Sequence, residues 1–338
     1  MQKPNVPNSV VLVISSFVFW ICFGFPISDF GFCLEPPAGP EGKAVQHWVE
    51  QLKSTEFREQ WHAAYILGTL GPEAAAAVPA LHSVLVDLNS HNEYNNEYSR
   101  SMAAWALGRI GQAAQPEIPV LIKTMNSTPL LAVRRSAAEA LGNFGAAAKP
   151  AVSELLKMLN NDDDMTRVNA AVALWKIDRH PQAVPALLQM LRRGNSSQAY
   201  AAAVALGQME NEAERIAPAL IAALHAPAAD VRRAAARSLG QLGKAAFPAL
   251  KKAMQDPDAE VRRMVIEALS WMGPDAVPAL IDALKDTSPA VRRAAARALG
   301  NLGAAAQRAR SALETAASDP QEDVRAAAAK ALQRIRGE

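Results

Sequence analysis

The stretch VRRAAARSLGQLG at residues 231–243 returns almost unchanged as VRRAAARALGNLG at residues 291–303. A chain that writes one short helix twice invites a search for further copies. The Gly of each LG, or its equivalent, gives landmarks at Gly68, Gly108, Gly142, Trp175, Gly207, Gly240, Ser270, Gly300 and Gln333, spaced by 30 to 40 residues. A steady period in this range marks stacked supersecondary units in place of one shared core. From the second unit on, an earlier apolar segment precedes each landmark, usually opened by proline: Pro79, Pro119, Pro185, Pro218, Pro248 and Pro278. Proline in the first turn of a helix loses no useful hydrogen bond and presets φ, so these prolines predict helix starts. Each unit is therefore a helical hairpin, and residues 43–338 are expected to form an all-α solenoid of about nine of them.

The second helix of a unit can be read by angle. At 100° per residue from Val231, the side chains of Ala234, Ala235, Ser238, Leu239 and Leu242 fall within about 80° of one line, the apolar stripe of a packed helix. Arg233, Ala236, Arg237 and Gly240 are expected to face away. Alanine dominates the stripe, which favours close helix approach and carries the best intrinsic helix propensity. One hairpin cannot cover such a stripe alone, whereas stacking on the next copy does.

These residues carry a resemblance. The segment DPDAEVRRMVIEALSWMGPDAVPALIDAL, residues 256–284, resembles the short bacterial HEAT-like repeat, also called the phycobilisome-lyase-type HEAT-like repeat, and residues 287–303 repeat its VRR-bearing first part, the second helix of the unit. The match is strong over residues 225–338, weaker over 129–224 and degenerate over 43–128. The resemblance implies a right-handed α-solenoid whose second helices line a concave groove. It also implies an inter-repeat ladder between an acid just before the Val and the first Arg after it: Asp230 with Arg232, Glu260 with Arg262, Asp323 with Arg325. Ala290 before Arg292 departs from that pattern. The tile itself implies no chemistry, because one solenoid hosts many unrelated roles.

Half of the 338 residues are apolar, ample for a buried interior, and 35 cations against 33 anions give no bulk attraction to nucleic acid or a membrane surface. The charge is uneven along the chain: residues 226–338 carry 18 cations and 13 anions, residues 41–225 carry 16 and 18. Cys22 and Cys33 are the only cysteines, so the repeats hold no disulfide and no cysteine metal site. Near the N-terminus the uncharged run VVLVISSFVFWICFGF, residues 10–25, follows Lys3. It reads as a signal peptide or membrane anchor within residues 1–34 that exports the remainder to the periplasm or exterior. EPPAGPEG, residues 35–42, reads as a Pro/Gly linker.

Two positions of the second helix define a candidate binding ridge. Seven residues before the landmark stand Arg135, Arg233, Arg263 and Arg293; three before it stand Glu139, Arg237, Glu267, Arg297 and Lys330. Toward the N-terminus the ridge carries Trp61, Tyr65, Trp105, Trp175 at its landmark, and Tyr200. Exposed aromatics anchor partners and Arg forks suit carboxylates or phosphates, so the groove is expected to dock a protein or peptide with an acidic segment. The plainer alternative is that the aromatics plug gaps and the arginines only solvate a helix face.

Catalytic signals are sparse. The six histidines show no HExxH and no ligand spacing, no GxSxG, GxGxxG or P-loop occurs, and the chain has no His-Glu dipeptide of the kind deoxyhypusine hydroxylases use to hold iron. The acids Asp162, Asp163 and Asp164 lack an EF-hand pattern and fit a turn with a helix N-cap. The expectation is a non-catalytic scaffold with no cofactor, metal or nucleic-acid partner, and with membrane contact only through the N-terminal segment. A lyase-like subunit assisting chromophore attachment to a partner protein is the alternative that the resemblance implies.

Overall fold

The computed structural model describes residues 41–87, 93–160 and 163–337. The export segment, residues 35–40 of the linker and residues 88–92 lie outside the described residues; the polar stretch 89–98, whose asparagines and tyrosines suggest a loop, is helix from Glu93 on. Helix begins at Glu41, two residues earlier than the linker reading allows. Among the described residues the chain forms helices and turns, with no helix long and apolar enough to cross a membrane.

The structure divides into two compact units, Met1–Ala186 and Leu187–Glu338. In the first, α1 (Glu41–Gln51) pairs with α2 (Phe57–Leu70), α3 (Val78–Val86) with α4 (Glu93–Ile110), α5 (Ile118–Ser127) with α6 (Leu131–Asn143), and α7 (Val152–Met158) with α8 (Asp164–Asp178). The second helices α2, α4, α6 and α8 stack in sequence as one layer. Helix α9 (Ala183–Arg193) runs across the division. The second unit continues with α10 (Ser196–Leu206), α11 (Ala213–Ala223), α12 (Ala229–Gln241), α13 (Phe247–Ala253), α14 (Ala259–Ser270), α15 (Val277–Ala283), α16 (Pro289–Leu302), α17 (Arg310–Ala316) and α18 (Glu322–Arg336). Here α10, α12, α14, α16 and α18 form the stacked layer, each of the last four backed by the helix before it. This is the all-α solenoid of helical hairpins expected from the period.

The landmark glycine owes its place to this stacking. A Cβ built on Gly108 would lie 2.5 Å from the Cα of Ala140, one on Gly142 would lie 2.9 Å from Ala173 Cα, and one on Gly300 would lie 2.8 Å from Ala331 Cα. Each of these glycines meets the residue two before the next landmark, at a distance that real Cβ atoms do not tolerate. Ala236 and Gly240, read as facing away, are therefore buried: the neighbouring second helix covers that side, and Ala236 is 2% exposed. The second helix has two covered faces and one narrow wet one.

The glycine three residues after the landmark does a different job. Gly243, with φ of 62° and nothing within 4 Å of its missing side chain, ends the second helix in a conformation L-residues resist, and a 3₁₀ turn leads into the next hairpin. Pro79, Pro119, Pro248 and Pro278 stand in the first turns predicted for them. Pro218 does not; α11 starts earlier, at Ala213, and holds Pro218 inside it.

Arginine couples the repeats by a route other than the expected ladder. The first Arg of each pair donates to the carbonyl six residues earlier: Arg134 to Thr128 at 2.7 Å, Arg232 to Ala226 at 2.9 Å, Arg262 to Asp256 at 2.8 Å, Arg292 to Asp286 at 2.9 Å and Arg325 to Asp319 at 2.8 Å. That bond ties the turn between hairpin helices to the second helix. Two of these arginines also fork the aspartate in the same turn of the following repeat, Arg262 onto Asp286 and Arg292 onto Asp319, with N···O distances of 2.7–2.8 Å. The acids before the Val are used differently. Glu260 pairs one turn along its own helix with Arg263, Asp230 pairs likewise with Arg233, and Asp323 receives Arg293 from the preceding repeat. Arg292 makes a full rung although Ala290 lacks the carboxylate, because the carboxylate that matters sits in the next turn.

Candidate functional site

In the first unit two of the predicted ridge aromatics pack on one another. Tyr65 on α2 and Trp105 on α4 stack with centroids 5.7 Å apart and planes 13° from parallel. Gly68 makes room for this, since a Cβ there would lie 2.3 Å from the indole Cζ3 of Trp105. Trp61 is half-buried and meets His62 edge-on at 6.0 Å, and His62 in turn meets Trp48 at 5.2 Å. Burial lowers the His62 pKa and raises that of Tyr65. Trp105 is 7% exposed and Trp175 6% exposed, so the reading of both as exposed anchors is corrected. The physical reason is shared: each indole is roofed by the arginine one turn on, Arg109 at 5.9 Å from the Trp105 ring and Arg179 at 4.5 Å from the Trp175 ring.

Arg135 also leaves the ridge. It forks Asp163 of the next repeat, Nε to Oδ2 at 3.0 Å and Nη2 to Oδ1 at 2.6 Å. Asp163 is at once the N-cap of α8, accepting from Thr166 N–H at 2.7 Å, as its position in the acid triplet suggests. Burial opposes its ionisation, but the bonds from Arg135 and Thr166 outweigh that and hold the carboxyl below its ordinary range.

The second unit keeps a wet, charged row. Of the positions seven before the landmark, Arg233 is held by Asp230, Arg263 by Glu260 at 2.7 Å with Glu267 at 3.6 Å, and Arg293 by Asp323 at 2.9 Å. Tyr200, on α10, is half-buried; burial pushes its phenol up, with Arg237, Asp230 and Arg233 acting on it electrostatically. That row is largely neutralised. The row three before the landmark is not. Arg237, Arg297 and Lys330 are exposed. Among the described residues Arg297 and Lys330 have no ion-pair partner, and Arg237 lies 5.8 Å from the ring of Trp271.

Trp271 is the residue that the sequence reading missed. It is 59% exposed, the one aromatic among the exposed large apolar side chains of the described residues. Its Cβ would lie 2.9 Å from a Cβ on Gly240, so the missing side chain in α12 seats the base of the indole beside Arg237. A signal for it existed. Trp271 is four residues after Glu267, which places it on the same helical face as the row three before the landmark.

Elsewhere in this unit, a pocket with a cavity volume of about 340 Å³ is lined by Leu191, Ala199, Ala222, His225, Pro227 and Val231, without a set of catalytic groups. Among the described residues no three His, Cys, Asp or Glu side chains gather where they could hold a metal ion.

HEAT-repeat models match residues 45–142, 93–175, 152–217, 217–280 and 277–338, and the chain belongs to the HEAT-repeat family. No curated protein sequence matches it significantly. Among solved structures, Kap95p in a study of RanGDP aligns over 88% of this chain and 46% of its own, at 14% identity and a TM-score of 0.52. The chain thus spans about half of that protein. Human deoxyhypusine hydroxylase in complex with glycerol aligns over 88% of this chain and 98% of its own, at 23% identity and a TM-score of 0.36. The CpcE and CpcF complex of phycocyanin lyase from Nostoc aligns over 84% and 98%, at 23% identity and a TM-score of 0.37. The likeness to Kap95p shows the fold alone.

Proposed function

We propose that the chain is a non-catalytic scaffold that docks a protein or peptide partner, and that the docking face is the wet side of the stacked layer α12, α14, α16 and α18. The observation that carries this reading is Trp271, exposed beside Arg237 in a row that also holds Arg297 and Lys330. Exposed indoles and arginines are the side chains that most often dominate binding energy, and cations not neutralised by neighbours favour an acidic partner. A solenoid supplies the rigid backing that such a row needs. The family and the fold agree with a binding role; Kap95p, which shares that fold, binds RanGDP. The reading also places the array outside the cytoplasm on the strength of residues 10–25, which protease accessibility in intact cells would check.

A peptide-display selection against the full chain tests the docking face. Acidic peptides should be enriched, and Arg237→Glu, Arg297→Glu and Lys330→Glu together should abolish that enrichment while helical content by circular dichroism is unchanged. Equal enrichment on the charge-reversed protein would exclude the face.

A further inference from the structure

The charges along this face alternate. Arg237 on α12 is followed on α14 by Glu267 and, at the C-cap of that helix, by the indole of Trp271, and then on α16 by Arg297. Glu267 is exposed, and its only ion pair among the described residues is the 3.6 Å contact to Arg263, which Glu260 already holds. A carboxylate arriving over α14 would meet Glu267, whereas an apolar group there would meet the open indole. Over α12 and α16 the preference reverses, because Arg237 and Arg297 present guanidinium groups with donors to spare.

The spacing follows from the packing. Helices that approach through Gly and Ala, as α12 and α14 do at Gly240 and Ala268, sit near the short end of the usual 8–10 Å interaxial range. Arg237 and Arg297 are two such steps apart, about 16–20 Å, less what Arg237 recovers by leaning over Trp271. An extended chain advances about 3.3 Å per residue, so it covers that span in about five or six residues.

We infer, on the strength of the docking reading above, that the partner is an extended segment with two acidic residues about five or six positions apart and an apolar side chain midway, which straddles Trp271 between Arg237 and Arg297. The apolar side chain lies on the indole, and each acid takes one arginine.

Three synthetic peptides of one composition test this against the full-length protein by fluorescence anisotropy. The first has acids about six apart with leucine midway, the second has the acids adjacent to each other, and the third keeps the acid spacing but moves leucine to one end. The first should bind at least about tenfold more tightly than either other, and Trp271→Ala should remove about that advantage while leaving the residual acid-dependent binding in place. Equal binding of all three, still sensitive to Arg297→Glu, would overturn the spacing and leave the docking face standing. Failure of all three to bind would overturn the docking reading itself.

Discussion

At Gly108 two residue-scale effects oppose each other, and their sizes decide the outcome. Alanine is favoured over glycine inside a helix by about 1 kcal/mol. The new methyl group, however, would stand 2.5 Å from the Cα and 2.8 Å from the Cβ of Ala140, which are not the mobile end of a side chain. Forcing α4 away from α6 is overpacking, typically about 1–3 kcal/mol, and it spreads to the flanking side chains. Gly108→Ala should therefore lower stability by up to about 2 kcal/mol, read as a fall in the thermal midpoint or in the denaturant midpoint. A gain in stability would show that the layer has slack the packing does not suggest.

At the scale of the element, the second helix is the part that carries both assembly and binding. Its period and apolar stripe were legible in the sequence because alanine, leucine and glycine recur at fixed offsets. Its second covered face was not, since one helix read by angle has no neighbour, and Ala236 and Gly240 look solvent-facing until α14 is placed beside α12. The same blindness hid which arginines stay wet. Arg135 and Arg293 share an offset, yet one is forked by Asp163 with 14% of its side chain exposed and the other keeps 43%. Pair identity depends on three-dimensional register, so the rungs Arg262 to Asp286 and Arg292 to Asp319 could not be assigned from adjacent letters.

Those rungs have a pH signature. The hydrogen bonds from Arg262 and Arg292 hold the Asp286 and Asp319 carboxyls below the ordinary aspartate range, against a smaller opposing effect of burial. A carboxyl depressed in the folded state contributes stability above its unfolded pKa, about 3.9, and loses it as pH falls through the folded value. The thermal midpoint should therefore drop as pH is lowered from about 5 to about 2, through the range below the unfolded aspartate value. Arg262→Met with Arg292→Met should be less stable at neutral pH by about 2–4 kcal/mol in total and should show a shallower acid slope. An unchanged slope would mean the forks contribute no coupling between repeats.

For the whole molecule, a solenoid unit has no centre that distant segments share, so damage stays local. Residues up to Ala186 and residues from Leu187 form separate compact units, each with its own buried alanine and leucine side chains. Leu299 on α16 is fully buried in the second unit. Leu299→Asp removes a leucine's packing, about 2–5 kcal/mol, and strands a carboxylate without a partner, several kcal/mol more unless it takes up a proton. That exceeds what a row of hairpins stabilised by nearest-neighbour contacts can absorb, so the second unit should unfold at a lower temperature. The first unit contains none of the affected contacts and should hold its own melting point. Circular dichroism of Leu299→Asp should accordingly split into two transitions, with near-ultraviolet signals from the Tyr65 and Trp105 stack following the later one. One sharp transition at a lowered midpoint, with the stack lost at the same temperature, would instead make all nine landmarks members of a single cooperative array.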